Sequence, residues 1–556
     1  DRAFQNCRLL PELVIPTGVT SIGENAFNSL RKISTFSVPE GVEVIPFGAF
    51  GFCDDLVSIQ LPSSLKRIED EAFHLCRSLD EIRIPENVEF IGERVFNDCD
   101  LLTSIDVAED NLHYESVSGI LFTEDLSCLV RSPSFQGANP FALVNNIQRI
   151  MPYALQNTGF QEINLPESLL VIGSNAFEDC DYLELIEIPE SVIELGEEVF
   201  LDCDKLRSAV LPAGISSIPF RLFGNCEILY DVLIPQSVTR IEDRVFNGCR
   251  EFATVQLPDG LNFIGNAAFT LCRQLYDIDI TSSVQQIGDY AFSGCEHLYD
   301  LTLNEGLEII GENAFEDCRF LESIELPQSL KVIETGAFRT CTKLTDLRFS
   351  DGLEKIAFEA FRDCRGLEQI VLPASLSYLG GEAFTLSGLQ YVYFLGNAPE
   401  LGKESPFNSI HFDAKVYYFE GVTGFTTPSW GGLPTVSLGQ ETDAVSWLIK
   451  NNLTHDTDLG QDPFQAGLPL IVNYSLNQVP GDGLNLMVHV ENNTTYYSFF
   501  GGREEIAYIA EISKDLITWT TTGVSLSEPD SDGIRTASFD LEEGRCFVRF
   551  RFQRVD

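Results

Sequence analysis

Apolar and polar positions follow one pattern along most of the chain, and the pattern returns every 23 residues. A short stretch of alternating residues is followed by proline, then by apolar residues at steps of three and four, then by an Ala-Phe pair. The phenylalanine of this pair, here the marker Phe, recurs at Phe4, Phe27, Phe50, Phe73, Phe96, Phe177, Phe200, Phe223, Phe246, Phe269, Phe292, Phe315, Phe338, Phe361 and Phe384. A period this constant predicts a solenoid.

One repeat, residues 307–327 with the sequence LEIIGENAFEDCRFLESIELP, predicts the local structure. Ile324 and Leu326 alternate with polar residues, which predicts a short strand with one buried face, and Pro327 ends it. From Leu330 to Phe338 apolar residues return at mixed steps of three and four, which predicts coil leading into one or two helical turns. A unit of this size cannot cover its own apolar side, so each repeat must stack on the next.

The repeated string L-x-x-I-x-L-P-x-x-L-x-x-I-G-x-x-A-F-x-x-C resembles the BspA-like (Treponema-type) leucine-rich repeat family, over about 390 residues. The resemblance implies an α/β repeat solenoid of about sixteen repeats, with short strands on one face and short helices on the other. It also implies a secreted or surface-displayed protein that binds partners and has no catalytic activity.

Breaks in the period predict the domain organisation. The solenoid spans residues 1–388, and a hairpin insertion interrupts it at about 106–149. Residues 389–440, rich in aromatic residues and glycine, are predicted to form a terminal capping repeat that covers the last apolar edge. Residues 441–556 share no period and alternate like strands, which predicts a small, mainly β module.

Two segments of the last 116 residues carry resemblances of their own. YIAEISKDLITWTTTGV and GRCFVRFRF are similar to the C-terminal region of large secreted proteins from verrucomicrobial-type bacteria. QDPFQAGLPLIVNYSL resembles a calcium loop, whose pattern is matched at Asp462, Gly467 and Tyr474. Phe464, Ala466 and Asn473 replace its other carboxylates, so we expect no tight calcium binding there.

The 15 cysteines predict a column of buried free thiols rather than disulfides. Thirteen lie three residues after a marker Phe, a position that Leu30 and Ser387 also occupy, which indicates a small site in the core. They are Cys7, Cys53, Cys76, Cys99, Cys180, Cys203, Cys226, Cys249, Cys272, Cys295, Cys318, Cys341 and Cys364. Cys128 and Cys546 lie outside this column, and no spacing suits a zinc site.

The net charge of −48 and the pI near 4.3 argue against nucleic acid and anionic membranes as partners. A solvated acidic surface is the simplest interpretation, and attraction to cations or basic partners is the alternative. The sequence has neither a run of 18 apolar residues nor a signal peptide. Because it begins inside a repeat, at Asp1, we expect the native polypeptide to extend upstream.

The sequence predicts no enzyme, no cofactor and no metal site. Its six histidines are scattered, and it contains none of the common nucleophile, zinc-protease, P-loop or dinucleotide motifs. The outward-facing residues of the predicted strands are the better candidates for function, because repeats in one register align them in rows.

A candidate binding site lies in those rows. Val210 and Leu233 are apolar neighbours, and a Tyr-Asp pair recurs beside them. The candidate residues are Val210, Leu233, Tyr230, Asp231, Tyr276, Asp277, Asp279, Tyr299 and Asp300. Exposed rings beside carboxylates suit a protein side chain or a sugar. The alternative is that these tyrosines only cover the edge of the core.

These observations favour a secreted or cell-surface interaction protein that recognises a protein or glycan ligand through its strand face. Two other functions remain open at this point. One is a structural subunit of an extracellular filament or surface layer, which would self-associate. The other is a carbohydrate-binding accessory protein.

Overall fold

The computed structural model describes residues 1–134, 141–440, 443–450, 454–455, 487–491, 494–500, 506–513, 524–527, 534–540 and 547–554. The chain divides into two units. The first comprises Asp1–Val416 with Thr423–Thr435, and the second comprises Tyr417–Val422 with Val436–Asp556. The first unit is a solenoid of stacked repeats, as the 23-residue period predicts.

Short strands, many of them just before a proline, pair in parallel with a neighbouring repeat in a row of separate small sheets, which together are here called the first ladder. Ile186, Ala209 and Val232 are partners at one level, so the register advances by one repeat per strand. Residues alternate between buried and outward-facing along each strand. The strands are Thr35–Ser37, Ser58–Gln60, Glu81–Ile84, Ser104–Val107, Phe141–Ala142, Ile163–Asn164, Leu185–Glu187, Ser208–Val210, Asp231–Leu233, Asp277–Ile280, Asp300–Leu303, Ser323–Glu325, Asp346–Arg348, Gln369–Leu372 and Tyr391–Phe394.

A second ladder runs along another side of the solenoid and is built from two-residue strands. Each strand precedes the corner that holds the marker Phe. The strands are Val44–Ile45, Arg67–Ile68, Phe90–Ile91, Arg149–Ile150, Val171–Ile172, Glu194–Leu195, Ser217–Ile218, Arg240–Ile241, Phe263–Ile264, Gln286–Ile287, Ile309–Ile310, Val332–Ile333, Lys355–Ile356, Tyr378–Leu379 and Glu400–Leu401.

The prediction of short helices on the other face is wrong, because the corner is a series of turns. The N–H of Phe315 donates to the carbonyl of Ala337 in the next repeat (2.7 Å), whereas the N–H of Glu316 donates to the carbonyl of Asn313 in its own repeat (3.1 Å). Asn313 and Asp317 have φ of +52° and +61°. These two left-handed residues interrupt any helix, and the bond of Glu316 reaches the third preceding residue rather than the fourth.

The marker Phe rings stack in the core along the solenoid. The centroids of Phe292 and Phe315 are 5.2 Å apart with planes at 5°, and Phe338 continues the stack at 5.2 Å and 6°. The thiol of Cys341 donates to the carbonyl of Phe315 (3.3 Å). The thiols of this column are free and buried from Cys53 onward, which confirms the predicted column.

The insertion forms a three-stranded antiparallel meander, Tyr114–Val117, Ile120–Thr123 and Cys128–Arg131, which contains the predicted hairpin. Its last strand pairs in parallel with Arg149–Ile150, so it joins the second ladder. The meander divides the buried core into two clusters, one ending at Leu121 and the other beginning at Ile120.

Arg131 spans this division with its buried guanidinium. It donates to the carbonyl oxygen of Phe96 before the insertion (3.2 Å) and to that of Tyr153 after it. Burial lowers the pKa of Arg131 to about 10. In a regular repeat the carbonyl of Phe96 would accept a hydrogen bond from a thiol of the next repeat, as the carbonyl of Phe73 does from Cys99 (3.2 Å). Arg131 therefore replaces a missing contact between repeats.

The end of the first unit carries an aromatic cluster. Phe394, Phe425 and Trp430 lie with their ring centroids 5.1 Å apart. Tyr393 is buried, although its place in the alternating pattern predicts an outward-facing side chain. The remaining strands at this end are Lys415–Tyr418, Ser429–Trp430 and Leu433–Ser437, and the last two pair antiparallel.

The second unit contains a helix, Asp443–Lys450, and antiparallel strands. The strands are Met487–Glu491, Thr494–Phe500, Ile506–Ser513, Val524–Leu526, Ile534–Asp540 and Phe547–Arg554. The predicted small, mainly β module stays a prediction. The calcium-like loop with Asp462, Gly467 and Tyr474 lies outside the described residues, and so does Cys546.

Carboxylates crowd together on the corner side of the repeats that follow the insertion. Burial, together with the nearby charges of Asp179 and Glu198, raises the pKa of Glu178 to about 7. Burial and the nearby charge of Asp202 raise the pKa of Asp179 to about 6. Both groups therefore hold protons in the folded state at a pH where they are ionised in the unfolded chain.

The Phe stack predicts a stability test. Phe315→Ala should lower the free energy of unfolding by about 3–5 kcal/mol, because it leaves a cavity between two rings. Phe315→Leu should cost less, since Leu155 fills a marker position and is buried. Urea unfolding followed by circular dichroism measures both, with the exposed Phe358→Ala as control. An equal loss for Phe358→Ala would contradict the role of the stack.

The thiol column predicts selective reactivity. In a Cys546→Ser background, DTNB should modify the exposed Cys7 quickly. Cys128 should react slowly, because burial raises its pKa to about 11. The buried thiols should react only after unfolding in denaturant, since the thiolate is the reactive form. Cys7→Ser should remove the fast phase, and rapid modification of the column in the native protein would argue against its burial.

The carboxylate cluster predicts a pH dependence. Because the folded pKa values of Glu178 and Asp179 are raised, the stability that their protonation contributes is complete below about pH 4 and lost as pH rises through 6 to 7. The thermal midpoint should be higher at about pH 5 than at about pH 8. Glu178→Gln should reduce this difference, whereas the exposed Glu187→Gln should not. The same pH dependence in all three proteins would disprove the assignment.

Candidate binding surface on the first ladder

The first ladder brings most of the predicted site residues together on one exposed surface. In Asp277–Ile280 the two isoleucines point into the core, and both aspartates are exposed. Asp277 is the register partner of Asp300, and Asp279 is the partner of Thr302. The parallel pairing therefore sets two carboxylates side by side in neighbouring strands.

Tyr276 and Tyr299 stack on each other at this surface. Their ring centroids are 5.8 Å apart and their planes are at 10°. The rings sit in register because the N–H of Tyr299 donates to the carbonyl of Tyr276 (3.1 Å). Tyr276 is 38% exposed and Tyr299 is 55% exposed.

Tyr230 does not join this stack, because the repeat between Tyr230 and Tyr276 has Ala253 at the position of the tyrosine. The N–H of Tyr276 donates to the carbonyl of Ala253 (3.1 Å). Tyr230 occupies the same position one repeat before Ala253. Two strand spacings separate Tyr230 from Tyr276, roughly 10 Å. Ala253 carries only a methyl group where its neighbours in the row carry rings, and the space over it, between Tyr230 and Tyr276, is here called the Ala253 slot.

Four carboxylates border the Ala253 slot and the tyrosine pair, those of Asp231, Asp277, Asp279 and Asp300. All four are exposed. Asp279 accepts a hydrogen bond from the amide of Asn304 (2.7 Å). Within the described part of the chain none of the four forms an ion pair with Lys or Arg. Neighbouring like charges without a counter-charge favour a cationic ligand group.

Val210 and Leu233 extend the surface on the other side of Tyr230. They are register partners in adjacent strands. Leu233 is 66% exposed and Val210 is also exposed. Leu233 follows Tyr230 and Asp231 in the same repeat, so the apolar pair adjoins the Ala253 slot. An exposed apolar patch rimmed by polar residues is typical of an interaction site.

Sequence reasoning identified the side chains of this surface and missed the slot. The sequence signal for the slot is that Ala253 has no ring, in a row that has Tyr230 before it and Tyr276 and Tyr299 after it. In the described part of the chain, no group of three or more His, Cys, Asp and Glu residues is arranged to hold a metal ion. No helix there has the length and apolar character needed to cross a membrane.

Several solved structures are similar to this chain. A leucine-rich repeat protein from Bacteroides ovatus is 24% identical, and the match covers 67% of this chain and 88% of that one with a TM-score of 0.51. A leucine-rich repeat protein from Eubacterium ventriosum is 23% identical, and the match covers 52% of this chain and 82% of that one with a TM-score of 0.47. A leucine-rich cell surface protein from Faecalibacterium prausnitzii is 28% identical, and the match covers 54% of this chain and 68% of that one with a TM-score of 0.38.

No curated protein matches the chain. A family model does: that of the BspA type leucine rich repeat region matches residues 1–118, 134–252, 217–342, 262–390 and 308–419. These ranges leave only 119–133 unmatched before residue 420, and they agree with the 23-residue period and the two ladders. The chain belongs to the BspA-type leucine-rich repeat family.

Proposed function

We propose that this chain is a secreted or cell-surface interaction protein that recognises its partner on the first ladder and carries out no catalysis. The exposed tyrosine pair beside the Ala253 slot, bordered by four carboxylates without ion pairs, carries this proposal. The extracellular location follows from the family resemblance of the repeats. Repeat arrays of this kind provide an extended surface for binding.

The chemistry of the surface favours a flat cationic group. A guanidinium inserted over Ala253 would stack between the rings of Tyr230 and Tyr276. Its N–H groups would then lie beside Asp231 and Asp277, where charge-assisted hydrogen bonds are strongest. Leu233 and Val210 offer an apolar contact next to it. A segment of a protein partner with an exposed arginine beside an apolar residue combines all these features.

A sugar is the second candidate, since a pyranose ring also stacks on tyrosine and its hydroxyl groups also bind carboxylates. Unlike arginine, a neutral sugar does not neutralise the four carboxylates. A glycan array separates the two. Binding of a glycan that the tyrosine variants below abolish would establish the sugar and replace the guanidinium. Light scattering tests the alternative of a filament or layer subunit, which would polymerise.

The tyrosine pair yields the first test. Tyr276→Ala with Tyr299→Ala should abolish capture of the partner from the native surroundings, and should cost no more than about 1.5 kcal/mol of stability. Bead capture and thermal unfolding measure the two effects. Tyr182→Ala, which removes an exposed ring elsewhere, should change neither. A large loss of stability in the double variant would show instead that these rings support the core.

The slot yields a second, independent test. Ala253→Trp should fill the slot and weaken binding at least about tenfold, while every tyrosine and aspartate remains in place. Ala253→Ser, which keeps the slot open, should bind as the wild type does. The affinity of the captured partner for each variant can be measured by surface plasmon resonance. Unchanged affinity in Ala253→Trp would rule out insertion between the two rings.

A further inference from the structure

The second ladder is interrupted after the insertion, and the interruption opens a groove. A six-stranded sheet ends at Glu194–Leu195, and a nine-stranded sheet begins at Ser217–Ile218. These two strands belong to consecutive repeats, yet they do not pair. Every other neighbouring pair of second-ladder strands from Arg149–Ile150 to Glu400–Leu401, all of which are described, is joined.

Pro219 explains the interruption. In other repeats the residue after the second-ladder strand donates its N–H to the preceding repeat, as Glu242 does to Ile218 (3.1 Å) and Gly265 does to Ile241 (2.9 Å). Pro219 occupies this position and has no N–H. Within the described residues, the carbonyl oxygen of Leu195 accordingly has no donor from the next repeat. Pro46 occupies the same position where another second-ladder sheet begins, at Val44–Ile45.

The two repeats remain joined on their other sides, so they separate as a wedge. Ser208 pairs with Leu185 in the first ladder. The N–H of Phe200 donates to the carbonyl of Leu222 at the corner (3.0 Å). The space between the separated strands is an open groove of about 1050 Å³. It has two strand edges without a partner, and Ile193 at its rim is 71% exposed.

The groove is lined by acids and by no lysine or arginine. Glu194 and Glu197 are exposed, and no described residue forms an ion pair with them. Asp243 accepts a hydrogen bond from the N–H of Asn266 (2.7 Å). Glu242 is already paired with Arg240 (2.8 Å). Three carboxylates thus remain for a ligand, next to the apolar side chain of Ile193.

We propose that this groove binds an extended basic segment of a protein partner, between the repeats of Glu194–Leu195 and Ser217–Ile218. The segment's main chain donates to the carbonyl of Leu195, which Pro219 leaves without a partner, as an added strand does at a sheet edge. Its Lys or Arg side chains lie against Glu194, Glu197 and Asp243, and an apolar side chain contacts Ile193. The groove is on the second ladder, so this site is separate from the Ala253 slot.

Charge decides between a basic partner and a second copy of this chain. The chain carries −48, so a second copy would bring further negative charge to an acidic groove. An extended segment also fits better than a helix, because beyond its first turn a helix bonds its main-chain N–H groups internally and has no row of them for a strand edge. Self-association through the groove is therefore a competing outcome of the test and not the proposal.

Pro219→Glu is the sharpest test. It supplies the missing N–H and the side chain that Glu242 has at the same position, so the ladder should close. A fluorescent, end-capped (Lys-Val)4 peptide is the probe, and fluorescence polarisation reports its affinity. We expect binding to weaken at least about tenfold while the thermal midpoint rises. Charge cannot explain that loss, since the variant adds an acid. Pro46→Glu, the same exchange outside the groove, should leave the affinity unchanged.

Three further comparisons separate this site from general attraction to an acidic protein. Glu194→Lys with Glu197→Lys should weaken binding at least about tenfold, whereas Glu187→Lys with Glu325→Lys, an equal charge change on the first ladder, should not. Ile193→Asn should also weaken binding. A (Lys-Pro)4 peptide, which lacks half of the main-chain donors, should bind more weakly than (Lys-Val)4.

Several results would overturn the proposal. Equal affinity in Pro219→Glu and wild type would do so, as would equal effects of the two lysine pairs. Concentration-dependent dimers that Pro219→Glu abolishes would assign the groove to self-association instead. Ala253→Trp should leave (Lys-Val)4 binding intact, so failure of this site and failure of the first-ladder site give different results.

Discussion

Hydrogen bonding between one repeat and the next is the constraint on which the rest of the structure depends. Each repeat is too small to enclose its own apolar side, so its main-chain groups must find partners above and below. They do so in the two ladders and at the corner, where the N–H of Phe315 reaches the carbonyl of Ala337. Because all three columns share the same 23-residue offset, side chains line up in rows. The stacked Phe rings, the thiol column and the exposed tyrosine pair all result from that alignment.

The same constraint explains what the sequence could predict. The period, the short strands and the buried free cysteines such as Cys318 follow from residue types within a single repeat, so pattern alone identifies them. The predicted helices were wrong because steps of three and four also suit turns that close against a neighbour. Positive φ at Asn313 and Asp317 decides between the two.

The binding surfaces were harder to predict, because small or missing groups define them. Tyr276 and Asp277 can be identified in the sequence by their side chains, whereas Ala253 contributes to the surface because it has no ring. Likewise Pro219 resembles the many other prolines of the chain until the ladder places it at a donor position. Tyr393 was expected to face outward and is buried, since alternation within a strand does not anticipate the aromatic cluster at the end of the first unit.

The division of the core at the meander has a consequence for how the solenoid comes apart. Phe73 stacks on Phe96 before the division and Phe160 contacts Phe177 edge-to-face after it, whereas Arg131 links the two parts by polar contacts. Stability in stacked repeats is a sum of neighbour contacts, so cooperativity drops wherever a contact is weakest. Heat or mechanical force should therefore melt the solenoid in two stages, with one block of repeats outlasting the other. A chain built this way can unfold one segment under tension while the other segment stays folded and able to bind.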